Sequence, residues 1–336
     1  MSIKDIARLA GVSPSTVSRV LNDREYVRDE IRKRVLEVVK ENGYVPNNVA
    51  RSMVLRRTFT IGVIIPDTFN MFQRQLFSTI EHRLEQFGYR TMFFFVKWNS
   101  ESESDCLRRL KSESLDGVIM LHEVQYQAMY KYLNEFPNPV VLCTFGCEHY
   151  DFPAVYVDET GAARDAVEYL IQHGHEHIGL IAGAHFSFSN LRSKSYVDAL
   201  KAHGIEPRSE WQVIVPSYTP EDGRLGMKTL LGRDSSLSAV FAITDELAIG
   251  ALRALHEAKI RVPDDISVIG FDDIDISGYV EPALTTIHQP IVEMGERTAE
   301  LVCTLIAEGK GEHLKVVLPH RLVERESVAN ANHLQF

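Results

Sequence analysis

Cysteine is scarce in this 336-residue chain, which has only Cys106, Cys143, Cys147 and Cys303. Four scattered thiols cannot build a disulfide framework, and the chain suits a reducing cytoplasm. Cys143 and Cys147 stand four apart in a region of strand and turn, and no metal site is expected there. Long hydrophobic runs are also missing. No stretch of about 18 apolar residues occurs, so no membrane span is expected. The N-terminus lacks a charged-then-apolar leader, which argues against export. Proline and glycine are too few for a collagen-like or low-complexity chain. The enzyme motifs with the sharpest signatures are missing too: no glycine-rich phosphate loop, no nucleophile elbow and no zinc-protease helix. The expectation is therefore a globular, non-enzymatic protein of two or three domains with no cofactor.

The net charge of −10 hides an asymmetry. Residues 1–57 hold twelve Lys/Arg against seven Asp/Glu, a net of +5, and the remainder carries −15. A small basic head on a large acidic body suits a head that meets phosphates and a body that does not. A solvated helix face could also yield the positive balance.

Within the head, Ile3, Ile6, Ala7 and Ala10 recur at helical spacing. Ser2 can cap that helix, with Asp5 in the capping-box position. Gly11 ends it, and Ser13-Pro14 opens a second helix as N-cap and first residue. Val17, Val20 and Leu21 share the inner face of the second helix. Ser15, Thr16, Ser18 and Arg19 are left outside. A third helix is predicted over 29–42, with Ile31, Val35, Val38 and Val39 inward and Gly43 ending it. Two helices joined by a glycine turn make either a plain αα-hairpin or a DNA-reading helix-turn-helix. The polar start and outward arginine of the second helix suit the major groove. A further helix of about two turns can begin at Asn47 or Asn48 and would need a partner to be stable.

From Thr60 onward, strands and helices alternate. Strands are predicted at 61–65, 91–96, 117–121, 140–143, 154–157, 178–182, 213–215, 239–242 and 267–270. Helices fall between most of them, at 75–87, 161–173, 190–203, 220–231 and 245–258 among others. Repeated βα units imply parallel sheets covered by helices, and this many strands imply two sheets. Ligands in such sheets bind at the carboxyl ends of the strands.

Long motifs make the pattern specific. The chain resembles the lactose-repressor (LacI/GalR) family of bacterial transcription regulators. The likeness rests on Ile3-Lys4-Asp5-Ile6-Ala7, Thr16-Val17-Ser18-Arg19-Val20-Leu21-Asn22, Gly43-Tyr44-Val45-Pro46-Asn47, Val262-Pro263-Asp264-Asp265-Ile266-Ser267-Val268-Ile269-Gly270-Phe271-Asp272 and Pro282-Ala283-Leu284-Thr285-Thr286. It implies an α/β fold in three parts. An N-terminal three-helix headpiece covers residues 1–46, and a hinge helix and linker cover 47–58. A two-lobed periplasmic-binding-protein-like body with parallel sheets covers 59–336, one lobe at about 59–159 plus 290–320 and the other at about 160–289 plus the tail. It implies a cytoplasmic, nucleoid-associated homodimer, whose heads read a pseudo-palindromic double-stranded operator. Without an appended heptad tail, a tetramer is not expected.

The resemblance also implies residue roles. Pro14, Ser15, Ser18 and Arg19 would meet bases, with Arg19 able to pair with both guanine acceptors, and Thr16 would also belong to the DNA-binding face. Asn22 and Tyr26 would lie near phosphates. Asn47, Ala50 and Met53 belong to the hinge helix, where Met53 takes the place of the family's minor-groove leucine wedge. Phe72, Gln73, Arg192, Tyr218, Thr244, Asp272 and Gln289 would line the effector cleft. There a carboxylate and a guanidinium pair with adjacent hydroxyls while aromatics take the ring face. Arg192 and Asp272 could instead be a structural ion pair at the cleft rim, and Phe72 simple core. Thr244 replaces a frequent Asn and Thr144 a frequent Asp, which implies a cleft with less polar grip. His173, His175 and His177 look like a metal cluster, but alternate spacing sends neighbours to opposite faces, so no metal is expected. The function implied is a repressor controlled by a small ligand, a sugar or sugar derivative acting as inducer. A nucleobase or nucleoside corepressor is the alternative, and a solute-binding protein a more distant one.

Overall fold

A computed structural model of the chain describes all residues except 22–26, 45–56, 68–69, 98, 124–126, 145–149, 185–186, 310–313 and 332–336. The chain divides into two compact units, Met1–Phe59 and Thr60–Phe336.

The first unit holds three helices: α1 (Ile3–Ala10), α2 (Pro14–Leu21) and α3 (Asp29–Glu41). At the start of α1, the Asp5 carboxylate accepts the Ser2 amide at 2.9 Å while the Ser2 hydroxyl accepts the Asp5 amide at 3.4 Å. This is the reciprocal cap that the sequence spacing predicts. Gly11 closes α1 in the left-handed region at φ 61°, where a side chain would be strained. The Ser13 hydroxyl accepts the Thr16 amide at 3.1 Å and starts α2. Ile6, Ala7, Ala10, Val17, Val20, Val27 and Val35 form the core, with Ile31, Val38 and Val39 packed on its edge.

The second unit is built from βα repeats. In chain order it runs β1 (Thr60–Pro66), α4 (Met71–Gln86), β2 (Arg90–Val96), α5 (Ser100–Ser112), β3 (Gly117–Met120), α6 (Gln127–Glu135), β4 (Val140–Cys143), β5 (Ala154–Val157), α7 (Glu159–Gln172), β6 (Ile178–Gly183) and α8 (Ser187–Ala202). It continues with β7 (Gln212–Val215), α9 (Pro220–Arg233), β8 (Ala239–Ala242), α10 (Asp245–Glu257), β9 (Ser267–Ile269), β10 (Thr286–His288), α11 (Ile291–Glu308), β11 (Lys315–Leu318) and β12 (Arg321–Val323). One sheet has the order β11-β5-β4-β3-β1-β2 and a second β7-β6-β8-β9. Every pairing in both is parallel.

Two expectations are corrected. Three strands beyond the nine predicted are present. β11 extends the first sheet, and β10 with β12 forms a separate antiparallel pair. All three are only three or four residues long, too short for an alternation to show. Helix α4 begins at Met71 rather than 75, because Asn70 and Gln73 cap one another. Phe72 and Gln73 therefore stand in the first turn of a helix and not in a loop. Among the described residues no helix is long and apolar enough to cross a membrane.

Helices α9 and α10 cross in backbone contact. A Cβ built on Gly250 would lie 1.9 Å from the Pro220 carbonyl oxygen, and one on Gly223 would lie 2.1 Å from that of Leu247. In an exposed helix, Gly to Ala gains about 1 kcal/mol. Here the sign reverses. Gly250→Ala is expected to cost about 1–3 kcal/mol as overpacking and to lower the melting temperature by roughly 2–12 °C, as read by calorimetry. An unchanged or higher melting temperature would refute this close crossing.

Candidate functional site

A cavity of about 210 Å³ opens where the carboxyl ends of both parallel sheets meet. Phe72, Gln73, Arg192, Tyr218, Thr244, Asp272 and Gln289 all line it, and all seven are buried. They arrive from separate elements. Phe72 and Gln73 come from the first turn of α4, and Arg192 from the second turn of α8. Thr244 caps α10 by accepting the Leu247 amide. Asp272 follows β9 and Gln289 follows β10.

Arg192 is 2% exposed and held on every side. Its Nε donates to Glu159 Oε2 at 2.6 Å and its Nη1 to the Ile243 carbonyl at 2.5 Å. Asp272 Oδ1 lies 3.6 Å from Nη1. The guanidinium carbon sits 3.5 Å from the Phe271 ring centroid and 4.8 Å from that of Phe188, so the cation is also held by ring faces. The alternative of an Arg192–Asp272 ion pair is present in the structure, but it is buried rather than at the rim, and the tighter partner of Arg192 is Glu159.

Asp272 is fixed differently. Its Oδ1 accepts Gln289 Nε2 at 2.7 Å, and its backbone takes φ 123°. Thr144, also on the cavity wall, takes φ 85°. Such conformations cost about 1–3 kcal/mol each and persist where the surroundings impose them, often at functional sites. Burial pushes the Asp272 carboxyl well above its usual range, against the pull of Arg192. Glu246, half-buried at the rim, is also raised by burial, although the Met71 amide donates to it at 3.4 Å and Arg74 stands nearby. Asp245 lies behind the wall. It accepts Ser277 Oγ, Thr286 Oγ1 and the Ile274 amide, a buried anchor that ties β10 to α10.

Phe188 and Tyr218 form an aromatic wall with centroids 5.2 Å apart. Tyr218 Oη donates to the Ala184 carbonyl at 2.9 Å. Gly183 makes room for it, since a Cβ there would lie 2.4 Å from the Tyr218 ring.

The sequence reading missed Asn70, Glu159, Phe188 and Glu246 as lining residues. Glu159 and Glu246 add two carboxyl groups to a wall where Thr144 and Thr244 stand in place of a frequent Asp and Asn. Glu159 stands two residues after β5 and Glu246 four after β8, which is the signal available in the sequence. Two carboxylate contacts also join elements of the first sheet's side to elements of the second's. Glu246 at the start of α10 accepts the first amide of α4. Glu123, after β3, accepts the Ser187 amide at the start of α8 at 2.9 Å. Each places negative charge on a helix N-terminus.

The histidine trio is tied elsewhere. His173 Nδ1 bonds the Tyr169 carbonyl, His177 Nδ1 bonds that of Ser236, and His175 bridges Ser238 Oγ and the Ala329 carbonyl. In the first unit, Pro14, Ser15 and Arg19 are exposed on α2, and Thr16 and Ser18 partly so. The Ser13 hydroxyl lies 2.7 Å from that of Ser15 and 2.8 Å from that of Thr16. Asn22, Tyr26, Asn47, Ala50 and Met53 lie outside the described residues.

Comparison with known proteins gives consistent matches. Residues 2–47 match the family described as bacterial regulatory proteins, lacI family. Residues 167–328 match the periplasmic binding protein-like domain. The chain is 33% identical to catabolite control protein A of Priestia megaterium, over 97% of this chain and 99% of that one. It is similar to the lac repressor dimer bound to operator and the anti-inducer ONPF, with 26% identity, TM-score 0.86, and coverage of 98% and 99% of the two chains. It is also similar to a complex of the transcriptional regulator CelR with cellobiose, with 29% identity, TM-score 0.73, and coverage of 97% and 99%.

Proposed function

The chain belongs to the lacI family of bacterial regulatory proteins, and from that premise we propose a homodimeric, cytoplasmic transcriptional repressor without enzymatic activity, whose operator affinity is set by a carbohydrate bound in the body. The observation that carries the reading is the pairing, in one chain, of a compact helix-turn-helix with a cavity at the carboxyl ends of two parallel sheets. A cellobiose complex among its structural relatives supports the carbohydrate.

The DNA-facing residues of the proposal are Pro14, Ser15, Thr16, Ser18 and Arg19 on α2. Ser15 and Thr16 would exchange their contacts with Ser13 for contacts with DNA. Phosphate contacts would supply most of the affinity, which therefore falls with salt. The stretch 47–58 would be the hinge that couples the two units.

In the cavity, a sugar would set its hydroxyls against Asp272 and Arg192 and its ring against Phe188 and Tyr218. Phe72 and Gln73 belong to the first sheet's side and Arg192 and Asp272 to the second's. A ligand touching both changes the free energy of holding them together. It thereby competes with or adds to the contacts of Glu246 and Glu123. Linkage requires that operator and ligand alter each other's affinity by the same factor.

The test starts with selection of binding sites from random duplexes by the full-length protein. A sequence with two-fold symmetry is expected. Arg19→Ala should then weaken binding to that sequence by about 1–3 kcal/mol, or 5- to 150-fold, and relax preference at one base pair per half-site. Selection that returns no preferred sequence would overturn the proposal, and a sugar that stabilises the body yet leaves operator affinity unchanged would overturn the coupling.

A further inference from the structure

The cavity holds one cation against three carboxylates. Among the described residues, Arg192 is the only lysine or arginine on its wall, while Glu159, Glu246 and Asp272 all face it. The positions of this unit that lie outside the description before residue 310 include no lysine or arginine. The charge of that cation is already balanced: Arg192 is bonded to Glu159 at 2.6 Å and also donates to the Ile243 carbonyl. Beyond the wall, Arg74 acts on Glu246 and Asp245 acts on Asp272, one group of each kind.

Resting on the reading of this cavity as the effector site, we propose that its ligand carries no negative charge. It is a neutral or amine-bearing ring compound rich in hydrogen-bond donors, and phosphate esters and carboxylates are rejected. With the Arg192–Glu159 pair neutral, the remaining wall charge belongs to Asp272 and Glu246. Burial raises both, so each is either protonated or anionic. The wall itself, one guanidinium against three carboxyl groups, therefore offers an anion no excess of positive charge.

An anionic ligand would lose its hydration shell and meet no free cation in return. At about 5 Å in an effective dielectric near 20, one like-charge contact weakens binding by on the order of 100-fold. Hydroxyl and ammonium groups meet the opposite situation. Asp272 and Glu246 are acceptors, and the ring faces of Phe188 and Tyr218 favour C–H surface or a cation.

The experiment is a thermal-shift titration of the full-length protein with matched series built on one skeleton each. For glucose, galactose and mannose, the members are the neutral sugar, the 2-amino sugar, the uronate and the 6-phosphate. For adenosine and cytidine, they are the nucleoside and its 5′-monophosphate. Within any skeleton that binds, the neutral or amino member is expected to bind at least 100-fold more tightly than the anionic one. Glu246→Lys, which adds a cation at the half-buried rim, should narrow that ratio at least tenfold.

A uronate or phosphate that binds as well as its neutral parent overturns the inference and leaves the carbohydrate reading intact. Nucleosides favoured over their monophosphates, with no sugar binding, support the inference and overturn the carbohydrate reading. No binding by any member overturns both. A ratio unmoved by Glu246→Lys overturns wall charge as its cause.

Discussion

Arg192→Ala is expected to abolish the ligand-induced thermal shift and to destabilise the body by about 3–5 kcal/mol. Removing the guanidinium leaves two carboxylates, Glu159 and Asp272, 3% and 5% exposed, without their shared cation. It also leaves the Ile243 carbonyl unpaired and empties the space between the Phe188 and Phe271 rings. At roughly 2–4 °C per kcal/mol, the melting temperature should fall by roughly 6–20 °C. A second variant separates the two effects. Arg192→Met with Glu159→Gln removes charge from both sides of the tightest pair and keeps apolar volume between the rings. Replacing a buried ion pair with uncharged groups of similar volume is often close to neutral. The double variant should therefore recover much of the stability and none of the ligand response. A single variant that melts within 1 °C of the parent and still responds to ligand would show that Arg192 is not the anchor of this site.

The legibility of this chain tracked how local each signal was. Helices α1 and α2 were readable because their caps are local: Ser2 with Asp5, Gly11, and Ser13 before Pro14 are complete within twenty residues. The cavity residues Arg192, Asp272 and Gln289 were named through family motifs, and the strand ends placed them on one wall. Glu159 and Glu246 escaped because an acidic residue in the first turn of a helix already has an ordinary explanation, its interaction with the helix dipole. Glu246 does both things, since it opens α10 and also accepts the first amide of α4. Asn70 and Gln73 form a capping pair visible in the sequence, yet the helix was begun at its first clearly amphipathic turn. Phe188 has no motif to mark it and is buried; only the fold brings its ring against Arg192. The strain at Asp272 and Thr144 has no sequence signal, because neither is a glycine.

Deleting residues 1–59 is expected to eliminate operator binding while leaving ligand binding as it is in the full chain. The two units are separately compact, and every lining residue of the cavity lies beyond residue 60. Specific protein–DNA complexes reach dissociation constants of about 10⁻⁸–10⁻¹¹ M, and non-specific binding by basic proteins about 10⁻⁴–10⁻⁶ M. The truncated body should fall below even the second range, because its excess of acidic residues repels phosphate. The expected loss is thus at least about 10⁴-fold by fluorescence anisotropy. The charge argument adds a second, independent readout. In the full chain, raising salt screens both the attraction of the head and the repulsion of the body. Binding should weaken steeply with salt only if the head dominates. Charge-reversing substitutions on the body's exposed acids, far from the head in sequence, should raise non-specific affinity without sharpening sequence preference. If the truncated body still bound the selected duplex within tenfold of the parent, the DNA-reading role would have to move from α2 to the body. The asymmetry of +5 and −15 between the two parts of the chain would then have no functional meaning.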